Sequence, residues 1–339
     1  MFDILDAITL EKKLHPHTQP QDILKLIIQA GMGGEHMVED EIQTLQYLKE
    51  EKKAACMCTS EQLQPIGNGY VRVPLAMMKE RDLSLWNHMF VTATKYIKKD
   101  VSFVRALIEK NELSTYFSTA QIEDALENSM HHSVAYANAY HPHYRILPKV
   151  YVDFFPVYKQ IHDTLHKQAH ACFMIDGCCA SGKSTLAHTL AQLFPVHIFH
   201  MDDYFLRPEK KSEERLSKPG GNVDYERFDK EILSSLRHQK DVIYQPYDCM
   251  SQSLKEEVKV KYPPYSVIEG SYAHHPYFQM DAIKIFLYCE REVQLQRLKQ
   301  RSPNLYERFV HEWIPMENTY FETFDIRNQA DFILDTTTF

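Results

Sequence analysis

The sequence predicts two domains: a doubly wound α/β fold with a parallel sheet over residues 153–339, preceded by a mainly helical, α+β domain over residues 1–152. Three observations carry this. The chain has 339 residues, enough for about two domains. From Ala171 onward, short apolar runs alternate with loops and helix-patterned stretches, as in a parallel sheet covered by helices. Before residue 150, helical spacing of apolar residues dominates, and the pattern changes near 150–155.

In the first domain, Ile23, Leu24, Ile27 and Ile28 form a helical stripe that ends at Gly31. Residues 35–53 are charged with helical spacing. Tyr70–Leu75 alternates after Gly67-Asn68-Gly69 and reads as a short strand or extended segment. Residues 84–110 read as helix. Ser118 and Gln121 form a capping box for a helix over 119–137, and the segment 141–148 breaks that pattern. Residues 152–168 read as a helix around Pro156. In the second domain the candidate strands are 172–175, 196–200, 241–244, 265–269, 283–288 and 332–334. No internal repeat or low-complexity segment is evident.

Composition narrows the functional classes. Hydrophobic residues make up 44% and charged residues 25%, as in globular proteins. The net charge of −8 argues against a protein built to grip a phosphate backbone, so no nucleic-acid partner is expected. No apolar run reaches the roughly 18 residues of a membrane span, and no secretory signal is read at the start. Seven cysteines, with Cys56 and Cys58 one residue apart and Cys178 and Cys179 adjacent, include no CxxC pair. They support neither a disulfide framework nor a zinc site, and a reducing cytoplasm is the expected location. Homo-oligomerisation is left open.

Glycine is scarce, with 10 in the chain, and it is clustered. One cluster belongs to Gly177-Cys178-Cys179-Ala180-Ser181-Gly182-Lys183-Ser184, which fits G-x-x-x-x-G-K-[ST] between an apolar strand and an amphipathic helix bearing Leu186, Leu190 and Leu193. The chemistry needs these types at this spacing. Glycines let consecutive N–H groups turn around a phosphate, and the helix N-terminus adds partial positive charge. The lysine reaches the terminal phosphates and the hydroxyl serves Mg²⁺. The fold is therefore expected to be that of a P-loop NTPase, with ATP and Mg²⁺ as cofactors and Gly177–Thr185 as the nucleotide cradle.

No N-K-x-D guanine-reading motif is present, and the strand 265–269 ends in Glu269-Gly270 rather than in Asp-Glu. A second acidic strand end follows at Asp202-Asp203. Two strands thus deliver carboxylates to one sheet edge, where doubly wound folds build their sites. One carboxylate can take a proton from an acceptor hydroxyl and the other can hold Mg²⁺.

Over about 170–339 the chain resembles the uridine kinase family of P-loop kinases, including its nicotinamide riboside kinase relatives. The resemblance rests on Ile175–Thr185, His200–Phe205, Val267–Gly270 and the stretch Arg291–Arg301. It implies that Asp202 is the base toward the acceptor hydroxyl, that Glu269 stands near the metal beside Ser184, and that Arg297 and Arg301 belong to a lid that clamps phosphates. A looser match at Asn222–Asp229 implies Asp224 as a ligand of the acceptor, and Asp203 and Tyr204 are further acceptor-side candidates. The resemblance implies a small-molecule kinase with a nucleoside-like acceptor. Pantothenate, glycerate or a sugar are alternative acceptors. An ATP-sensing module regulating the first domain, a fusion of two enzymes and a kinase of nucleic-acid ends are other readings.

The remaining features read less sharply. Asp176 is expected to be structural. The side chains of Cys178 and Cys179 are expected to be inert, with a lowered thiol pKa beside the helix N-terminus as the alternative. His274-His275 is expected at the surface, with contact to the acceptor as the alternative. In the first domain, Gly31–His36, Gly67–Arg72, His131, His132, His143 and Arg145 form a constellation suited to an anionic or sugar-like ligand, or alternatively caps, turns and surface histidines.

Overall fold

The computed structural model describes residues 3–34, 40–55, 62–96, 100–128 and 130–339. Cys56, Cys58, Glu35 and His36 lie outside the described residues. The chain divides into two compact units, 1–159 and 160–339, at a point within the helix Phe155–Lys167.

The first unit is built from α1 (Ile4–Leu14), α2 (Pro20–Met32), α3 (Glu41–Ala55), β1 (Gln64–Gly67), β2 (Tyr70–Pro74), α4 (Leu83–Tyr96), α5 (Val101–Lys110), α6 (Thr119–Glu127), α7 (Val134–Tyr140), β3 (Tyr144–Pro148), α8 (Lys149–Asp153) and α9 (Phe155–Lys167). The three strands form an antiparallel sheet in the order β1-β2-β3. The stripe on α2 is buried, with Leu24, Leu26, Ile27 and Ile28 in the core, and Gly31 packs against Val104 of α5. The helix read over 84–110 is two helices, because Asp100 caps a new N-terminus by accepting from Phe103 N–H. The helix read over 119–137 also divides. Ser118 and Gln121 form the capping box, but α6 ends at Glu127, and Ser133 caps α7. The break over 141–148 contains β3. The helix α1, which periodicity did not show, starts from an Asp3–Asp6 capping box.

Part of this unit's candidate ligand constellation is buried, while His131 is exposed. Arg72, on the central strand, is fully buried. Its Nη1 donates to Glu11 Oε2 at 2.9 Å, and its Nε and Nη2 donate to Gln29 Oε1 at 3.1 and 2.9 Å. Tyr136 Oη donates to Glu11 Oε1 at 2.7 Å. Beside them, His132 bridges Asp22 Oδ1 at 2.9 Å and Tyr144 Oη at 2.7 Å. Arg145 and His143 both meet Glu51. Arg72 is therefore committed to Glu11 and Gln29 rather than presented to a ligand.

The second unit contains β4 (Ala171–Gly177), α10 (Lys183–Leu193), β5 (His197–His200), α11 (Glu213–Leu216), α12 (Tyr225–Phe228), α13 (Ser234–Arg237), β6 (Val242–Tyr244), β7 (Tyr247–Asp248), β8 (Ser253–Leu254), β9 (Val258–Val260), β10 (Tyr265–Glu269), β11 (Ile283–Tyr288), α14 (Arg291–Arg301), α15 (Tyr306–Arg308), α16 (Ile314–Thr323) and β12 (Phe332–Asp335). Five strands form one parallel sheet in the order β12-β11-β4-β10-β5. The central strand β4 is buried on both faces and apolar as far as Ile175, as a strand covered by helices must be. The strand expected over 241–244 forms, but not in this sheet. Its residue Ile243 is exposed and β6 pairs antiparallel with β9 in a separate ribbon. A second short ribbon joins β7 and β8. Because β5 and β10 lie on one side of β4 and β11 and β12 on the other, the chain reverses direction beside β4. A crevice opens there, outside the carboxyl ends of the strands.

The Glu11–Arg72 pair generates a prediction. Burial alone would raise the Glu11 carboxyl, but the Arg72 guanidinium, the nearby His15 ring and the hydrogen bond from Tyr136 overcome it and hold it far below the usual range. A carboxyl depressed in the folded state stabilises above its unfolded value of 4.5, and that contribution is lost as pH falls toward the folded value. Arg72→Met should cost roughly 3–5 kcal/mol in urea unfolding of the first unit at neutral pH, by stranding Glu11. In the parent chain the same transition should weaken from about pH 5 to about pH 3. A change below about 1 kcal/mol in Arg72→Met would show that the pair is not a stabilising contact.

Candidate active site at the sheet edge

The strand β4 delivers Asp176 and Gly177 to the crevice. Asp176 is completely buried and gathers four donors. Its Oδ1 accepts from Gly177 N–H at 2.7 Å and Tyr272 N–H at 3.2 Å. Its Oδ2 accepts from His274 N–H and Tyr320 O–H, each at 2.9 Å. This structural role matches the expectation from sequence. The carboxylate ties together the loop's first residue, the turn after β10 and the helix α16.

Gly177 has φ 137°, and a Cβ there would stand 1.9 Å from Leu287 O, so only glycine fits. The loop then turns through two further left-handed residues, Ala180 at φ 61° and Gly182 at φ 97°. Its carbonyls are engaged one after another. Lys183 Nζ donates to Gly177 O at 2.7 Å and Cys178 O at 3.1 Å. Gln294 Nε2 donates to Cys179 O at 3.0 Å, Arg297 Nη1 to Ala180 O at 3.3 Å and Thr336 Oγ1 to Ser181 O at 2.8 Å. Meanwhile the first-turn N–H groups of α10 have no intrahelical acceptor. The loop's spare hydrogen-bonding capacity is therefore donor in character, which suits an anion.

Ser184 follows Lys183 in the first turn of α10, and its Oγ donates to Glu269 Oε2 at 3.1 Å. The other oxygen, Glu269 Oε1, meets His200 Nδ1 at 2.6 Å. That hydrogen bond outweighs burial and raises the His200 pKa. The strand ends of β5 and β10 approach closely because position 270 is glycine, at φ 132°. A Cβ there would stand 2.8 Å from Met201 Cβ and 3.5 Å from Asp202 Oδ1. Asp202 itself is exposed, and among the described residues no hydrogen bond to its carboxylate is seen. The protein packed around it raises its pKa, partly countered by Lys183, with Glu269 adding to the rise. Lys183 is buried. Burial would favour its neutral form, but Glu317 and Asp176 more than compensate and raise its pKa, so its amine stays charged.

The structure thus brings Lys183, Ser184, Asp202 and Glu269 together around the loop. It does not bring all the other sequence candidates with them. Tyr204 is completely buried, its hydroxyl donating to Glu231 and its ring lying under Arg227 at 4.0 Å. Asp224 is also buried. It caps α12 through Arg227 N–H and pairs with Lys210 at 2.9 Å. Neither side chain is presented to the crevice. Asp203 is half-buried, with burial raising its carboxyl and His200, Lys255 and Arg227 opposing. Arg297 is held by Ala180 O, Thr336 and Phe339, on the carbonyl side of the loop. Arg301 lies over the Phe309 ring at 5.8 Å. The pair His274-His275, expected at the surface, is buried: His274 Nε2 donates to Met174 O, and His275 stacks on Tyr225 at 4.4 Å.

Four participants were missed from sequence. Glu317, on α16, is buried, and its Oε2 accepts from Cys179 N–H at 2.9 Å. A carboxylate thus sits on the loop's third amide. The signal was present as a charge within the buried Ile314/Glu317/Tyr320 stripe. His200 was read only as part of a motif. Thr336 and Gln294 anchor the loop from segments far away in the chain, and no local pattern marks them.

Compared with protein-family models and with curated proteins, the chain matches none. Among solved structures it is similar to a protein from Bacillus stearothermophilus described as a possible uridine kinase, with 22% identity, 52% of this chain and 96% of that chain covered, and a TM-score of 0.38. It is similar to a candidate fructose transport system kinase from Silicibacter sp., with 22% identity, coverage of 52% and 97% and a TM-score of 0.40. A third similarity is to a protein from Thermus thermophilus, with 16% identity, coverage of 50% and 89% and a TM-score of 0.28.

Removing the Asp176 carboxylate orphans four buried donors. Asp176→Ala should lower the unfolding free energy of the second unit by roughly 3 kcal/mol or more, measured by urea denaturation. A loss below about 1 kcal/mol would show that these donors find other partners.

Proposed function

We propose that residues 160–339 form an ATP-dependent phosphotransferase that moves the γ-phosphoryl group to a hydroxyl of a small, nucleoside-like acceptor. The observation that carries this reading is the convergence of Ser184, Glu269 and Asp202 on the mouth of a loop that carries Lys183. The N–H groups of the first turn of α10, together with Lys183, would hold the triphosphate. In this structure Lys183 rests on Gly177 O and Cys178 O, so nucleotide would draw the amine from those carbonyls to phosphate oxygens. Ser184 Oγ and the Glu269 carboxylate are hard oxygen donors side by side, the set that Mg²⁺ takes together with water and phosphate. When bound, Mg²⁺ would neutralise charge on the phosphate oxygens.

Asp202 faces the opening with its carboxylate unpaired, which suits a group that orients a hydroxyl and accepts its proton. Burial raises its pKa, which makes it a better proton acceptor than an ordinary aspartate. His200 fixes Glu269 from the side away from Ser184. The nucleoside class comes from the sequence resemblance; the positioning of Asp202 supports any small hydroxyl acceptor. Because phosphoryl transfer asks mainly for positioning and charge stabilisation, this constellation is sufficient for it.

The test is ADP release from Mg²⁺-ATP across nucleosides, sugars, pantothenate and glycerate. One acceptor should stimulate release strongly, and Asp202→Asn should reduce kcat at least about 100-fold while ATP binding is retained. Acceptor-independent ATP binding with no stimulated release across the panel would instead favour a nucleotide-sensing module. Full turnover in Asp202→Asn would remove its role as base.

A further inference from the structure

The loop carries a second chemistry that nucleotide binding does not use. Cys178, its second residue, follows β4 directly, and Cys289 follows β11 directly. The two strands are hydrogen-bonded neighbours, with Gly177 opposite Leu287, and Cys178 N–H donates to Leu287 O at 3.2 Å. In that register Cys289 lies one position beyond the residue facing Cys178, and with adjacent strands about 4.8 Å apart and a rise of about 3.3 Å per residue the offset stays within the Cα separation that a disulfide spans. The two thiols are near enough for each to shift the other's pKa, Cys178 down and Cys289 up. Both line a cleft of about 460 Å³ beside Arg291 and Asn318, and both are partly exposed.

The other described cysteines differ. Cys179 is buried against Leu298 and Ile314, and Cys172 is buried in the sheet. Cys249 is exposed, with no thiol partner among the described residues. The hydrogen bond from Cys289 and the nearby Lys183 amine favour the thiolate at Cys178 and pull its pKa below the ordinary range, although burial opposes them. Cys178 is therefore the better nucleophile of the pair and Cys289 the resolving thiol.

We propose that Cys178 and Cys289 form a thiol–disulfide site on the phosphate loop, oxidised by low-molecular-weight disulfides. The Cys178 thiolate attacks one sulfur of the disulfide and forms a mixed disulfide, releasing one small thiolate that takes up a proton. Cys289 then loses its proton, attacks the Cys178 sulfur and displaces the second small thiolate. Two protein thiols are oxidised by two electrons, and one small disulfide is reduced to two thiols. The new bond ties the loop to the junction of β11 and α14. It holds Gly177 and Cys178 where their carbonyls retain Lys183, and so opposes nucleotide entry. This last consequence rests on the nucleotide-binding reading of the loop; the disulfide itself does not.

The test incubates the full chain with oxidised glutathione, followed by alkylation and non-reducing peptide mapping. A linked pair of peptides containing Cys178 and Cys289, reversed by dithiothreitol, is the expected result. Cys289→Ala should stop at a stable glutathionyl adduct on Cys178. Both cysteines remaining alkylatable while Cys249 is modified would overturn the site. Calorimetric titration with Mg²⁺-ATP separates the two layers. The oxidised parent should bind at least tenfold more weakly than the reduced parent, and Cys289→Ala left without oxidant should bind like the reduced parent. Linked peptides with unchanged ATP affinity would overturn the gating role. A reduced chain that binds no ATP would overturn gating through failure of the nucleotide reading, and the linked peptides would still establish the disulfide site.

Discussion

The second unit is organised around one buried carboxylate. Asp176 stands at the end of the central strand and satisfies donors from three separate segments: the loop at Gly177, the turn at Tyr272 and His274, and α16 at Tyr320. A buried charge without partners would cost several kcal/mol, so its four hydrogen bonds are obligatory rather than incidental. Because the turn after β10 begins at Glu269-Gly270, fixing it to Asp176 also fixes Glu269 against Ser184. Because α16 carries Glu317, fixing Tyr320 brings a second carboxylate onto the loop's amide at Cys179. The cleft's geometry descends from these contacts.

Polarity is sorted across the loop. Side chains from α14 and from the segment after β12 take its carbonyls, which leaves donor groups for an anion. Arg297 belongs to this scaffolding in the present structure, donating to Ala180 O and Thr336 O. The acidic groups Asp202 and Glu269 lie on the opposite side, near the β5 and β10 ends. The arrangement separates an edge rich in donors from an edge rich in carboxylates.

What the sequence made legible follows from locality. The loop Gly177–Ser184 is contiguous, and its flanking strand and helix announce themselves by periodicity, so its position could be read directly. Asp202 and Glu269 were legible because each ends an apolar strand. Glu317, Thr336 and Gln294 were not, since each reaches the loop from more than a hundred residues away. Tyr204 and Asp224 sit beside the site in sequence but turn into the core, where a ring under Arg227 and a capped, ion-paired carboxylate are satisfied internally. His274 and His275 were misread for the same reason: a polar pair after a turn resembles surface, yet Met174 O and the Tyr225 ring accommodate them inside. In the first unit, two residues that looked like part of a ligand set are instead paired internally, Arg72 with Glu11 and His132 with Asp22.

The central claim is that this loop holds a magnesium–nucleoside triphosphate through Lys183. The most direct measurement is calorimetric titration of a non-hydrolysable ATP analogue into the reduced chain, with and without Mg²⁺, alongside Lys183→Ala. The account predicts one site per chain, tightened by Mg²⁺ and weakened at least tenfold in Lys183→Ala without loss of folding. Equal affinity in Lys183→Ala, or no binding to the folded parent chain, would contradict it.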